Sequence, residues 1–196
     1  MSFRSIAVFC GANQGRDPRY TQIAESLGRT LASRGLTLVY GGGSVGLMGK
    51  IADAALAAGG AVIGVIPQNL VDREVAHGGL TQRHVVSTMH ERKALMAQLS
   101  DGFIALPGGF GTLDETCEIL TWAQLGMHAK PVALLNHQGF YDAFLKFLDH
   151  AVAEGFIRAH NRELLLAEPT VEAVLDRLQT YQAPEIPRWI WDRPRA

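Results

Sequence analysis

The sequence predicts an α/β fold in which a doubly wound parallel sheet is covered by helices on both faces. Short β-branched runs alternate with longer amphipathic stretches along almost the whole chain, which is typical of repeated βα units. Three of these runs end in glycine-rich turns. The length of 196 residues suits one domain, which we expect over residues 1–182, followed by a Pro/Trp-rich C-terminal arm at 183–196.

About seven strands are expected, each a short run rich in β-branched or aromatic residues. They span residues 5–10, 37–40, 61–66, 83–86, 103–106, 132–135 and 164–166. The helices between them are predicted from apolar residues spaced to lie on one face, with glycines as stop signals. They span residues 18–34, 47–58, 88–99, 112–125, 141–154 and 171–178. Residues 68–79 show no periodicity and are predicted to be a loop beside the sheet.

Thr88 and Glu91 mark the start of the third predicted helix. They stand in the S/T-x-x-E relation of a capping box, in which a hydroxyl and a carboxylate each satisfy an unpaired backbone N–H. With this helix placed, strands and helices alternate from end to end. The predicted architecture is therefore a Rossmann-like domain.

Charge and composition exclude several classes of protein. Eighteen Lys and Arg residues balance 19 Asp and Glu, so no basic face is expected for nucleic acid or an anionic membrane surface. The longest apolar runs, such as residues 61–67, are too short to span a bilayer. The first residues resemble a buried strand more than a signal peptide, and Cys10 and Cys117 are expected to be core thiols. We therefore expect a cytoplasmic protein.

The three glycine-rich turns lie at residues 11–15, 41–46 and 108–111. In an open α/β sheet such turns meet at one edge, where free N–H groups of helix N-termini favour a phosphate. For any one turn, tight strand-to-helix packing is an equally good explanation, but three together favour a nucleotide site. Residues 41–46 match G-x-G-x-x-G, yet no acidic residue follows at the spacing that NAD binding requires. Ile51 stands where an ATPase P-loop needs Ser or Thr.

Two helix starts carry charged residues. Arg92 and Lys93 lie near an N-terminus that disfavours cations, so either an anionic ligand compensates them or they are simply solvated. Asp114 and Glu115 are expected in the first turn of the next helix, where Asp114 would interact with the helix dipole. Glu115, beside a turn able to hold phosphate, is a candidate to contact ribose and stabilise positive charge on the sugar. Glu118 is expected to be an ordinary helix charge.

Two motifs together identify a family. Residues 107–115 read PGGFGTLDE, which fits P-G-G-x-G-T-x-x-E, and residues 89–93 read MHERK, which fits M-x-x-R-K. The chain resembles the Lonely Guy (LOG) family of cytokinin riboside 5'-monophosphate phosphoribohydrolases, long mislabelled as lysine decarboxylases. The resemblance extends from about residue 6 to residue 178. The lysine decarboxylase label itself is disfavoured, because no motif supports a Schiff-base lysine for pyridoxal phosphate.

The resemblance implies hydrolysis of the N-glycosidic bond of an N6-modified adenosine 5'-monophosphate, or of AMP, to free base and ribose 5-phosphate. It implies neither a metal nor a redox cofactor. Because the family is usually dimeric, we predict a homodimer that buries an apolar helix face, including the helix at residues 112–125 with Trp122 at the interface. Arg92 and Glu115 would be the catalytic pair. The implied substrate-binding residues are Gly42, Gly43, Ser44, Gly46, Glu74, Lys93, Gly108, Gly109, Gly111, Thr112 and Thr121.

Breaking a ribosyl C–N bond passes through an oxocarbenium-like state, which a carboxylate such as Glu115 stabilises more than the ground state. Arg92 is a poor proton donor, so it is expected to aid departure of the base electrostatically or to orient phosphate and Glu115. The alternative is a non-catalytic nucleotide or molybdenum-cofactor carrier on the same fold. Such a carrier would need the glycine turns but not Arg92 and Glu115 together. Binding of single-stranded DNA would need a basic groove.

Overall fold

The computed structural model describes residues 3–72 and 76–184. Glu74 and residues 185–196 of the expected C-terminal arm lie outside the described residues. All seven strands belong to one sheet and every neighbouring pair is parallel, which confirms the predicted fold. The strands are β1 (Ser5–Phe9), β2 (Thr37–Tyr40), β3 (Val62–Pro67), β4 (Gln82–Val86), β5 (Gly102–Ala105), β6 (Val132–Leu135) and β7 (Leu165–Glu168).

Eight α-helices connect the strands in the described part of the chain. They are α1 (Pro18–Ser33), α2 (Gly46–Ala57), α3 (Gln68–Val71), α4 (Met89–Gln98), α5 (Phe110–Gln124), α6 (Asp142–Ala153), α7 (Ala159–Arg162) and α8 (Val171–Gln179). Two of them are single turns that the sequence pattern does not reveal, because four residues are too few to show a helical period. The prediction that residues 68–79 form only a loop was therefore wrong at α3.

Alternate residues of β1 enter two separate cores. Ile6 and Val8 pack on one face of the sheet with buried residues of α1, α2 and α8, such as Leu27. Ala7 and Phe9 pack on the other face with Met96 of α4 and with residues of α5 and α6. Both faces of the central strand are thus buried, as expected for a parallel sheet covered by helices on each side.

The strand order is β4-β3-β2-β1-β5-β6-β7, so the direction of winding reverses between β1 and β5. At such a reversal the connections leave in opposite directions and open a crevice beyond the carboxyl ends of the strands. The two turns that border it are tied together, because the Gly11 N–H donates to the Pro107 carbonyl at 3.1 Å. The fold therefore places a cleft between the first and third glycine turns.

Across the ranges that the structure describes, no helix combines the length and the apolar character needed to cross a membrane.

Candidate active site

A cleft of about 630 Å³ opens at the carboxyl edge of the sheet. The turn after β1 contributes residues 10–15, the turn after β2 contributes Gly41, Gly43 and Val45, and the turn after β5 contributes residues 107–112. The expectation that the three glycine turns meet at one edge agrees with this arrangement. Arg92 and Glu115 line the same cleft.

Arg92 and Glu115 form an ion pair inside the cleft. Nη1 of Arg92 lies 2.7 Å from Oε1 of Glu115, and the two side chains are only 12% and 10% exposed. A charge-assisted hydrogen bond of this length in a poorly hydrated site holds both groups in a fixed relative position. The pair therefore presents an oriented carboxylate to a ligand.

Contacts from β3 and from α4 hold the Arg92 guanidinium in place. Its Nε donates to the Val65 carbonyl of β3 at 3.2 Å, and Nη1 also approaches Sδ of Met89 at 3.2 Å. The guanidinium lies directly over Gly41, where a Cβ would overlap Nη2. A residue larger than glycine at position 41 would displace Arg92, so Gly41 is part of the site.

The start of α4 fixes where Arg92 leaves the backbone. The Thr88 hydroxyl accepts from the Glu91 N–H at 3.1 Å, as the sequence predicts. The Glu91 carboxylate accepts from the Ser87 N–H at 2.8 Å, one residue before the N–H of the usual capping box. Arg92 lies one turn after this cap.

The surroundings of Glu115 shift the pKa of its carboxyl group. Burial raises the pKa of Glu115 above its ordinary value of 4.5, while the Arg92 charge acts in the opposite direction. Burial also raises the pKa of Cys10, which lines the cleft at the end of β1, so this thiol stays neutral. Among the described residues that line the cleft, Glu115 is the one carboxylic acid.

Lys93 is not among the residues that line the cleft in the single chain, and its expected contact with the substrate stays a prediction. Its Nζ lies 3.1 Å from Oδ2 of Asp114 and 2.8 Å from Oε2 of Glu118. The prediction for Asp114 was wrong because α5 begins at Phe110, two residues early, which puts Asp114 past the first turn. Glu118 is likewise a partner of Lys93 and not an ordinary helix charge.

The other expected substrate-binding residues fall into three groups. Gly43, Gly108, Gly109, Gly111 and Thr112 line the cleft. Gly42, Ser44 and Gly46 belong to the turn after β2 but are not among the residues that line the cleft. Gly42 and Gly46 have φ of +74° and +61°, and a Cβ at Gly46 would overlap the Ala12 backbone. These two glycines therefore shape the turn.

Thr121 is the expected site residue that the structure places elsewhere. It lies six residues after Glu115 on α5, so it points about 240° away around the helix. The Thr121 hydroxyl donates to the Cys117 carbonyl at 2.7 Å, beside a small groove that α5 shares with α6. The single chain therefore does not bring Thr121 to the cleft, and its expected contact with the substrate stays a prediction.

Three aromatic residues that the sequence analysis did not single out also line the cleft: Tyr20 and Phe140 lie outside the motifs, and Phe110 is the variable position of P-G-G-x-G-T-x-x-E. Tyr20 of α1 and Phe140, which precedes α6, meet edge to face with ring centroids 5.6 Å apart on one side of the cleft. Phe110 lies at the mouth and is 94% exposed. An apolar aromatic rim of this kind suits a flat base, whereas the glycine turns suit a phosphate.

The first turn of α5 supplies donors for such a phosphate. Its N-cap Gly109 provides no side-chain hydrogen bond to the N–H groups of the first turn, and those residues border the cleft. A helix N-terminus with free N–H groups attracts an anion through its partial positive charge. Within residues 3–72 and 76–184, no group of three His, Cys, Asp or Glu residues is placed to hold a metal ion.

Comparison with known sequences points to one family. A family model described as "Possible lysine decarboxylase" matches residues 48–178. The chain is 50% identical over 190 residues to a cytokinin riboside 5'-monophosphate phosphoribohydrolase LOG of Oryza sativa subsp. japonica, covering 97% of this chain and 78% of that protein. A cytokinin riboside 5'-monophosphate phosphoribohydrolase of Arabidopsis thaliana is also 50% identical, over 91% of this chain and 83% of its own length.

Solved structures share the fold at lower identity. A molybdenum cofactor carrier protein from Chlamydomonas reinhardtii superposes with a TM-score of 0.68 at 23% identity, covering 92% of this chain and all of that chain. The molybdenum cofactor binding protein from Rippkaea orientalis gives a TM-score of 0.69 at 23% identity, over 92% and 98% of the two chains. These similarities establish a common architecture.

Proposed function

The chain belongs to the Lonely Guy (LOG) family of cytokinin riboside 5'-monophosphate phosphoribohydrolases, and from this we propose that it hydrolyses the N-glycosidic bond of N6-modified adenosine 5'-monophosphates. The products are the free base and ribose 5-phosphate, and AMP is a second expected substrate. The observation that carries the proposal is the buried Arg92–Glu115 pair, which faces a cleft bordered by three glycine turns.

Glu115 acts on the sugar. As the bond between the ribose carbon and the base nitrogen lengthens, positive charge develops on the ring, and the Glu115 carboxylate stabilises it. The same carboxylate orients the water whose oxygen then bonds to that carbon. The water gives its hydroxyl to the sugar and a proton to the departing base, so the atoms balance.

Arg92 has two tasks in this proposal. Its hydrogen bond at 2.7 Å orients Glu115 and favours the ionised carboxylate against the effect of burial, and its positive charge favours a nucleotide with an anionic phosphate. The N–H groups at the start of α5 also bind the phosphate. The aromatic residues Tyr20, Phe110 and Phe140 border the space left for the base.

Decarboxylation of lysine does not fit the cleft. Pyridoxal phosphate chemistry needs a lysine amine that forms a Schiff base with the cofactor. All four lysines of the sequence are described by the structure, and none of them lines the cleft. Lys93, the nearest in sequence to the site, has its amine engaged by Asp114 and Glu118.

The test is incubation of purified protein with isopentenyladenosine monophosphate and with AMP, with base and ribose 5-phosphate resolved by chromatography. Release by the parent, lost in Glu115→Gln and in Arg92→Ala, supports the hydrolase. The exposed residues Glu172 and Arg29 provide matched controls, and Glu172→Gln and Arg29→Ala should retain the parent rate. Binding of both nucleotides without any release would instead favour a nucleotide or molybdenum-cofactor carrier.

We also propose a homodimer in the cytoplasm. Exposed apolar side chains gather where α5 ends and around α6, including Met127, Phe147 and Phe156, and Trp122 of α5 is only partly buried. Both cysteines are free thiols, which suits a reducing compartment, although only Cys10 is buried: Cys117 is exposed, so the expectation that it is a core thiol was wrong. Light scattering at micromolar concentration tests the dimer, and a monomer mass would refute it.

A further inference from the structure

The hydroxyl of Tyr141 reaches the end of β5 from the turn after β6 (residues 136–141). Tyr141 is 2% exposed, and its Oη donates to the Leu106 carbonyl at 2.6 Å. Burial raises the pKa of Tyr141, so the hydroxyl keeps its proton and acts as a donor. The two residues are 35 positions apart in sequence. This bond therefore joins the turn after β6 to the glycine turn after β5.

The bond begins where the pairing of β5 with β6 stops. The last paired residues of these two strands are Ala105 and Leu134, so Leu106 lies one position beyond the ladder. Leu106 is fully buried, and a buried carbonyl that has lost its donor is destabilising. The Tyr141 hydroxyl thus supplies a donor that a longer ladder would have supplied.

Strand β1 holds the same turn from the other side of β5. The Leu106 N–H donates to the Phe9 carbonyl at 2.9 Å, and the Gly11 N–H donates to the Pro107 carbonyl at 3.1 Å. The consecutive carbonyls of Leu106 and Pro107 are therefore bound to groups on opposite sides of β5. Because proline also has a fixed φ, these bonds set the direction of the next N–H, which belongs to Gly108.

The turn needs such anchors because it is rich in glycine. Gly108, Gly109 and Gly111 line the cleft, and glycine restricts the backbone less than any other residue. A turn that is already held in place binds an anion without a further loss of backbone entropy. If one anchor is removed, the ligand itself must order the turn, which weakens its binding.

We propose that Tyr141 is a positioning residue for the phosphate: its hydroxyl anchors the turn at residues 107–111 in the conformation that binds the 5'-phosphate. The inference rests on the proposed function, in which this turn and the start of α5 bind that group. Tyr141 is buried within a single chain, in the core that also contains Phe103 and Ile119. It therefore acts through the Leu106 carbonyl and not by contact with the nucleotide.

The turn after β6 holds Tyr141 in turn. Asn136 Oδ1 accepts from the Tyr141 N–H at 2.7 Å, and Asn136 Nδ2 donates to Asp142 Oδ1 at 2.8 Å. The Phe140 ring, which lines the cleft, meets the Tyr141 ring edge to face with centroids 4.9 Å apart. One short turn hence carries both an aromatic residue of the cleft and the anchor of the glycine turn.

The experiment compares the parent with Tyr141→Phe, which removes the hydroxyl and keeps the buried ring. Isothermal titration calorimetry measures the affinities for ribose 5-phosphate and for adenosine, and base release from the nucleotide gives kcat and KM. We expect the dissociation constant of ribose 5-phosphate and the KM of the nucleotide to rise at least about fivefold, while kcat stays within about threefold. Adenosine lacks the phosphate, so its dissociation constant should change by less than about twofold.

Two further variants complete the design. Tyr181→Phe makes the same change on a partly buried tyrosine that packs against the opposite core, and it should match the parent. Loss of the donor to Leu106 lowers stability, so urea midpoints identify the variants that are folded under the assay conditions. Asn136→Ala leaves the Tyr141 hydroxyl in the chain but loosens the turn that carries it, and it should weaken ribose 5-phosphate binding in the same direction. If Tyr141→Phe does not fold, Asn136→Ala decides the question.

Unchanged affinity for ribose 5-phosphate in the folded variant would overturn the inference, as would an equal loss of affinity for adenosine, which indicates a general deformation. A parent that does not bind ribose 5-phosphate would overturn it too. A parent that binds ribose 5-phosphate but releases no base would instead refute the proposed function. The calorimetric comparison would still decide the role of Tyr141 in that case.

Discussion

Arg92 Nη1 lies 2.7 Å from Glu115 Oε1, although the two residues follow strands on opposite sides of β1. Arg92 follows the edge strand β4, and Glu115 follows β5. The contact forms because α4 returns across the sheet towards β5, and its side chains pack in the same core as those of α5. The cleft thus depends on a junction between the two halves of the fold, and its properties can be tested there.

The first prediction concerns the pH dependence of activity. Burial raises the pKa of Glu115 above 4.5, and catalysis needs the carboxylate, so kcat/KM should fall with decreasing pH at a point above 4.5. A pH profile of the parent checks this. In Arg92→Met, a ¹³C NMR titration of the Glu115 carboxyl should show a pKa higher still, since the Arg92 charge lowers it. A fall of kcat/KM whose pKa lies at or below 4.5 would contradict the prediction.

The second prediction concerns stability. Because the folded-state pKa of Glu115 is raised, its contribution to stability is complete below the unfolded value and is lost as the pH rises through the folded pKa. Glu115→Gln removes this pH-dependent loss but leaves the Arg92 guanidinium without its carboxylate, so the urea midpoint of the variant relative to that of the parent should be more favourable at pH 8 than at pH 4.5. An equal deficit of the variant at both pH values would argue against it, and Glu172→Gln should change neither.

The third prediction concerns Gly41, whose missing side chain leaves room for the Arg92 guanidinium. Gly41→Ala should displace that group, a flexible side-chain end, and lower kcat/KM by roughly 100-fold while the protein stays folded. Enzyme kinetics and circular dichroism measure the two effects. Gly78→Ala is the matched control, because a Cβ there meets no atom within 4 Å. Full activity in Gly41→Ala would show that the position of Arg92 is not critical.

The fourth prediction concerns Phe110, which is 94% exposed at the mouth of the cleft. Since it buries little surface, Phe110→Ala should change the free energy of unfolding by less than about 0.5 kcal/mol. It should nevertheless raise KM for the nucleotide, because the ring borders the space for the base. Val85→Thr alters an exposed apolar residue on the edge strand β4 and should leave KM unchanged. An unaltered KM in Phe110→Ala would exclude contact with the substrate.

Local signals predicted much of this molecule. The alternation of strands and helices, the glycine turns and the Thr88 cap each depend on residues close in sequence, and each appears in the structure. Arg92 and Glu115 were found because each belongs to a short motif next to a turn. Their direct bond required the placement of α4 against α5, which no local pattern contains.

The differences from the sequence analysis have physical causes of the same kind. Lys93 and Thr121 were expected to contact the substrate because of their motif positions, but in the single chain Lys93 bonds to a carboxylate on another helix and Thr121 leaves its helix on a different side from Glu115. Gly41 was missed because its role comes from a side chain that approaches from a distant helix. Tyr20 and Phe140 come together from opposite halves of the fold, so neither shows a signal by itself.

The position of β1 in the middle of the sheet affects how the nascent chain assembles. Strands β1 to β4 precede β5 in sequence, so during translation they can pair while the other edge of β1 stays open. That edge closes only when Ile6 pairs with Gly102. Until then the apolar edge of β1 can pair with a strand that is not its native neighbour, and Arg92 cannot form its ion pair with Glu115. The protein therefore cannot bind a nucleotide in the cleft until the ribosome has synthesised β5 and α5.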